Sequence, residues 1–365
     1  MERASFSALV LLLVATLALP AAISEGSPEK PVVVVFAKGL ADEDVQLKAA
    51  IGNETFVEWR VVTGELTMAD LEDAVMLIAI LADYTQEYTS AELAAIADWF
   101  DEGGKALWVA GDSDYGDDGP PRQSNANKLL EAVGSKLRIE SAAVEDPVSN
   151  AGKPYRVLGL SEKCDPEVSF LAEGVTRALF HGPAPIVCYV GGEYVKLEEE
   201  RVENVYRVMW TSSEGMIVNH NPPEPEAHEV GDTGSFVVMA IEVIPEKGCI
   251  VIATGDAPFD HYTGTYMPEL KRYDRYAVEY PQQGGMLVRN VLLFASRPGF
   301  LAEALSTSAE LEGAKAKVGE LEAKVAELEE EVGAARSSAL TYAIAGLIAG
   351  LVVGSAAGYL IGRRK

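Results

Sequence analysis

From Ala339 to Ile361 the chain runs for twenty-three residues without a charge, and Arg363, Arg364 and Lys365 follow directly after Gly362. A lipid interior accepts a lone stretch of this kind only as a helix, because every backbone N–H and C=O must find its partner within the segment. At about 1.5 Å per residue that helix spans a hydrocarbon core of ~30 Å with some tilt. The basic triplet is expected to stay in the cytoplasm. A transmembrane helix at 339–361 with a cytoplasmic basic tail at 362–365 therefore sets the frame for everything upstream. Inside the span Gly346, Gly350, Gly354 and Gly358 fall four apart, a strip along which a second helix backbone can approach closely. At the other end, residues 1–24 carry Arg3, an apolar run from Ala8 to Leu19, and Ala22-Ile23-Ser24, the three-part order of a secretory signal peptide. Residues 25–338 are then expected outside the cell, anchored to the lipid bilayer at the plasma membrane.

The segment before the span, 304–338, reads as a stalk. Leu311, Ala314, Val318, Leu321, Val325, Leu328, Val332 and Ala335 alternate by three and four, the a and d positions of a coiled coil. In a parallel, in-register pair each g residue faces the next e of the partner. That sets Glu310 against Lys315, Lys317 against Glu322, Lys324 against Glu329, and Glu331 against Arg336, four attractive pairs. Exposed pairs contribute only about 0.2–1 kcal/mol each, so they select orientation more than they add stability. Two chains tethered in one bilayer are necessarily parallel. The expected partner in this region is therefore a second copy, paired through Leu311, Val318, Leu321, Val325, Leu328 and Val332.

Residues 25–300 form the expected head. Val32 to Phe36 is a β-branched, wholly apolar run of the kind buried on both sheet faces. Helical spacing follows at Asp42–Ala50, a strand at Phe56–Val62, a helix from Met68, and a third strand at Val75–Leu81. Thr89 and Glu92 have the spacing of a capping box ahead of Leu93, Ile96 and Phe100, and Gly103-Gly104 closes that helix. Lys105–Ala110 is a fourth strand, Ser124–Val133 a helix and Leu137–Ser141 a short strand. Less regular β-like runs lie at 186–190, 194–197, 205–211 and 216–219, then strands at 236–244 and 249–254, and a closing helix at 284–294. This alternation predicts an α/β fold with a parallel sheet covered on both faces. The formal net charge of −26 sets nucleic acid aside as a partner, since such a surface repels phosphates.

The stretches Leu81–Tyr84, Thr89–Gly104, Lys105–Asp114, Ile250–Asp260 and Gly285–Ala295 are together similar to class I glutamine-amidotransferase-like domains. The version they most resemble occurs in auxiliary proteins of ABC-type transport systems and related membrane-anchored prokaryotic proteins. The resemblance covers about 31–298 and implies a flavodoxin-like three-layer sandwich. Catalytic members of the family carry a nucleophilic Cys on a Gly-x-Cys-x-Gly turn. Here the turn after the fourth strand is Gly111-Asp112-Ser113-Asp114-Tyr115, with no cysteine and no second glycine.

Two acidic loops follow strands and are predicted at the carboxyl edge of the sheet, where open α/β folds bind ligands. One holds Asp112, Asp114 and Asp117, the other Asp256 and Asp260. Carboxylate oxygens outside a cell suit Ca²⁺, while Asp and Gly also simply make turns; no other cofactor is implied. Ser113 is a nucleophile only if a histidine, from His181, His220, His228 or His261, stands beside it. His220 and His228 flank a Pro- and Glu-rich loop and read as surface residues. Cys164, Cys188 and Cys249 read as buried thiols, with a Cys164–Cys188 bridge as the alternative. These observations favour a non-catalytic cell-surface interaction protein, with an auxiliary subunit of an ABC-type transport system and an extracytoplasmic hydrolase or amidase as the competing readings.

Overall fold

The computed structural model of the protein describes residues 30–259, 262–276 and 281–307, together with 317, 320, 321, 323, 324 and 327. Two compact units divide the chain at 303/304. The signal-peptide segment and the transmembrane helix lie outside the described residues, and so does most of the stalk; the stalk positions that are described are helical. Among the described residues no helix is long and apolar enough to cross a membrane.

In the first unit the strands are β1 Val32–Lys38, β2 Glu58–Val62, β3 Ala74–Leu81, β4 Ala106–Ala110, β5 Leu137–Ile139, β6 Ala143–Glu145, β7 Arg156–Leu160, β8 Arg177–His181, β9 Ile186–Val190, β10 Glu193–Lys196, β11 Val205–Trp210, β12 Gly215–Val218, β13 Thr233–Gly234, β14 Val237–Ile244 and β15 Cys249–Thr254. Helices are α1 Val45–Asn53, α2 Met68–Leu71, α3 Ser90–Asp101, α4 Gly119–Ala132, α5 Tyr273–Tyr276 and α6 Gly284–Ala295. Nine strands make one sheet in the order β2-β1-β3-β4-β15-β14-β11-β7-β8. The first five are parallel to one another. The expectation of a parallel sheet needs correction beyond them, because β14, β11, β7 and β8 add on antiparallel. The reversal is local: Pro245–Lys247 and Gly248, at φ 61°, turn β14 directly into β15, and a short hairpin can only join antiparallel neighbours.

Both faces of the inner parallel strands are dry, β1 being buried at all seven positions, whereas β2 at the sheet edge is exposed at Glu58 and half-buried beyond it. Val32, Val34 and Phe36 pack with Leu77, Leu107, Val251 and with Ile96, Trp99, Phe100 and Leu129 of α3 and α4; by strand alternation Val33, Val35 and Ala37 face the other way. Helix α3 starts where its capping box predicts. Thr89 Oγ1 accepts from Glu92 N–H at 3.2 Å and Glu92 accepts from Thr89 N–H at 2.7 Å. It ends at Gly103 and Gly104, with φ 82° and 65°. Helix α4 begins five residues earlier than its apolar spacing suggests, because Pro120 and Pro121 occupy the first turn, where a missing N–H costs nothing.

Candidate functional site

The order of the parallel strands reverses at β1, so the crevice between the carboxyl ends of β1 and β3 is where a doubly wound sheet usually receives a ligand. Here the protein fills it. Lys38, the last residue of β1, is buried, with its ammonium 2.5 Å from the Glu92 carboxylate and donating to Glu87 O. Just beyond, Gly39 has φ +82° and a Cβ there would sit 2.4 Å from Asp83 Cβ, so the backbones meet with no gap between them.

The two acidic loops do project from this edge, and the fold brings them near one another. Gly111 N–H donates to Thr254 O at 2.8 Å, and Ser113 N–H to Gly182 O at 3.0 Å. Behind β15, Gly255 packs so tightly that a Cβ would lie 2.0 Å from Ala184 O. The carboxylates, however, are committed to the protein. Asp112 accepts from Ser113 N–H and lies 3.5 Å from Arg122, which also pairs with Asp118 at 2.5 Å. Asp114, 1% exposed, accepts from the backbone N–H groups of His220 and Asn221 at 2.5 and 2.9 Å. Asp256, also 1% exposed, accepts from His181 N–H at 2.6 Å and from Ala257 N–H. Asp117 is exposed, and Asp260 lies outside the described residues, as does His261. Among the described residues no group of three or more His, Cys, Asp or Glu side chains could hold a metal ion.

Ser113 is buried, and its hydroxyl accepts from Tyr115 N–H at 3.3 Å. His181 stands next to Gly182, whose added Cβ would fall 3.4 Å from Ser113 Oγ, so β8 does deliver a histidine to the neighbourhood of the serine. Its ring packs between Tyr155 and Tyr262, at centroid distances of 5.6 and 4.7 Å. His220 is exposed, as expected, and packs edge-on against Tyr115.

His228 corrects the surface reading. It is 5% exposed, with Nδ1 on Glu140 in a short contact and Nε2 2.5 Å from Glu198. Burial alone would push its pKa down, but the hydrogen bonds and charges of the two carboxylates outweigh that and hold it up at about 9. Glu140, wholly buried, also accepts from Ala227 and His228 N–H, so the Pro-rich loop is clamped onto the end of β5. All three thiols are free; burial pushes Cys164 and Cys188 up to about 12 and raises Cys249, which leaves them poor nucleophiles.

What this edge presents to solvent is aromatic. Tyr84, Tyr115, Tyr155 and Tyr262 are 41, 69, 39 and 45% exposed, and Arg122, Arg156 and Arg272 lie over the rings of Tyr84, Tyr155 and Tyr262 at 5.7, 5.3 and 5.1 Å. The loop bearing Tyr262 is held by Gln46 of α1, which donates to Gly264 O and Tyr266 O and accepts from Gly264 N–H. Sequence reasoning gives these tyrosines no binding role, because they sit singly in loops, without periodicity.

No protein-family profile matches the chain, and no curated protein matches it. A solved structure described as "mmIFT52 N-terminal domain" aligns with 73% of this chain and 97% of its own, at a TM-score of 0.45 and 12% identity. A likeness that weak identifies no family.

Proposed function

We propose that the protein is a non-catalytic recognition module displayed at the cell surface: an α/β head on a parallel coiled-coil stalk at 304–338, held by one transmembrane helix at 339–361. The order of the five parallel strands, β2-β1-β3-β4-β15, supports a flavodoxin-like arrangement and suits the glutamine-amidotransferase-like resemblance, with Ser113 in place of a nucleophilic cysteine. The observation that carries the functional reading is the division of labour at the carboxyl edge. Its carboxylates cap backbone N–H groups and pair with Arg122, while tyrosines, among the residues that dominate protein-binding hot spots, form the exposed rim, two of them backed by the half-buried Arg156 and Arg272. The partner is another surface or transport protein.

Two measurements on the full chain in its membrane test this. Protease added to intact cells should remove the head, and survival of the head would refute the display outside. A fluorophosphonate probe, which acylates an activated serine, should leave Ser113 unlabelled. Labelling that disappears in Ser113→Ala would establish a hydrolase instead.

A further inference from the structure

Carboxylates outnumber cations 56 to 30 in this chain, so an arginine without an acid partner is conspicuous. Arg60, Arg122, Arg138, Arg201, Arg207 and Arg289 each lie within ion-pair distance of one. Among the described arginines that do not, Arg156, Arg272 and Arg275 stand together at the carboxyl edge. Arg156 opens β7 directly across from His181, the last residue of β8. Its guanidinium lies over the Tyr155 ring and that of Arg272 over the Tyr262 ring, and these two rings flank His181. Arg275 Nη1 donates to the Tyr262 hydroxyl at 3.4 Å. Tyr276, 2% exposed, packs with Ala151, Leu158 and Leu179 and so seats α5, which carries Arg275, against β7 and β8. Arg156 Nε, Arg272 Nε and the Tyr276 hydroxyl are buried and make no hydrogen bond, and the terminal nitrogens of Arg156 reach only Ala151 O and the Tyr155 hydroxyl, both at 3.3 Å. Burial pushes the Tyr276 phenol up to about 12 although Arg156 and Arg275 draw it down, so it keeps its proton. Buried donors without an acceptor lower stability, and here they mark a capacity for acceptor oxygens that the chain itself does not supply. The described acids nearby do not cancel the charge: Asp256 is buried and accepts from His181 and Ala257 N–H, and the exposed Asp274 is matched by the exposed Lys153, whose carbonyl accepts from Arg156 N–H.

We propose that this cluster, Arg156, Arg272 and Arg275 with Tyr155 and Tyr262, is the docking surface for a short carboxylate-bearing segment of the partner protein. The inference deepens the recognition reading given above and rests on it. A planar guanidinium matches a carboxylate through two parallel N–H donors, and the tyrosine rings beneath supply apolar contact for the backbone and stems of the same segment. A long polyanion fits poorly, because a chain of net charge −26 repels it beyond the first few charges. A short acidic segment meets the local positive field without crossing the rest of the surface. Complementary charge of this kind speeds association and weakens as salt is added.

The test is fluorescence anisotropy on the full-length protein in lipid nanodiscs at low ionic strength, with a labelled peptide of Glu and Gly as the probe and its Gln counterpart as the control. The Glu peptide should bind and the Gln peptide should not. Arg156→Gln combined with Arg272→Gln should weaken binding at least about tenfold, while Lys163→Gln, which removes an exposed cation from another loop, should change it less than about twofold. Arg156→Lys with Arg272→Lys keeps the charge and loses the fork, so intermediate binding at an unchanged melting temperature separates recognition from misfolding. Equal binding of the two peptides, or a loss in the arginine variant no greater than in Lys163→Gln, would overturn the inference and leave the displayed module with a partner of other chemistry. Heparin bound in place of the Glu peptide, and lost in the arginine variant, would assign the cluster to a sulfated glycan and overturn it as well. Survival of the head under added protease would instead remove the display outside the cell while the peptide result stands.

Discussion

His228 offers a sharp test of how the head is held together. Its imidazole is buried between Glu140 and Glu198, and its pKa is raised from 6.5 to about 9. A group that binds its proton more tightly when folded stabilises the fold wherever the unfolded chain would begin to lose that proton. At 1.36 kcal/mol per unit the shift corresponds to about 3 kcal/mol. That contribution is complete below about pH 6.5, declines as the pH rises, and is gone once the folded imidazole has titrated above about 9. Urea unfolding followed by tryptophan fluorescence reads the head directly, because Trp59, Trp99, Trp108 and Trp210 all lie in it. The comparison is with His228→Gln, which keeps the shape but carries no charge. Cys164 and Cys188, pushed up to about 12, also cost stability at high pH, and they do so equally in both proteins, so the difference isolates the histidine. At pH 6 the variant should be less stable by roughly 3–5 kcal/mol, since Glu140 is left buried without its counter-ion. Toward pH 9.5 the gap should shrink by about 3 kcal/mol. Parallel stability curves for the two proteins between pH 6 and 9.5 would show that the imidazole is not held as a cation, and the reasoning would fail.

Asp165, 2% exposed, receives Arg207 through both its Nε and a terminal nitrogen, at 3.0 and 2.7 Å, and Arg201 at 2.9 Å. Asp165→Asn should therefore cost about 3–5 kcal/mol in urea unfolding, and a loss below about 1 kcal/mol would place this network among weak surface pairs. Gly255→Ala forces a Cβ against Ala184 O; it should destabilise by about 1–3 kcal/mol or more and disturb the neighbouring loops, visible as faster amide exchange at Ser113, whose N–H bonds to Gly182 O. Millimolar Ca²⁺ should leave the melting temperature of the full chain unchanged, because at least one oxygen of each of Asp112, Asp114 and Asp256 already accepts a backbone N–H group and Asp112 also faces the Arg122 guanidinium. A rise of several degrees that vanishes in Asp114→Asn would reverse that conclusion.

The parallel half of the sheet is legible in the sequence because each strand is a short apolar run bounded by glycine or a capped helix, and the capping box at Thr89 and Glu92 forms as spaced. Strands β14 and β15 are also legible as strands, yet not in their direction. A strand buried on both faces has the same apolar signature whether its neighbour is parallel or antiparallel, and only the four-residue turn at Pro245–Gly248 distinguishes the cases. Strands β7 and β8 leave no such trace. Each is five residues long, begins with an arginine, and one carries Gly159, whose position against Phe180 leaves no room for a Cβ. The site residues divide in the same way. Strand order alone places the loops of Asp112, Asp114 and Asp256 at the carboxyl edge. It cannot place His228, since the partners Glu140 and Glu198 are 88 and 30 residues away and nothing local signals a buried cation.

Lys38 and Glu92 close the slot in which sheets of this topology ordinarily cradle a nucleotide or other small molecule. With that slot spent on internal wiring, the recognition role proposed above would fall to the brim, where a broad, shallow fit tolerates drift at any one side chain. A competitor shaped like a metabolite would find the crevice between β1 and β3 already occupied by the protein's own side chains.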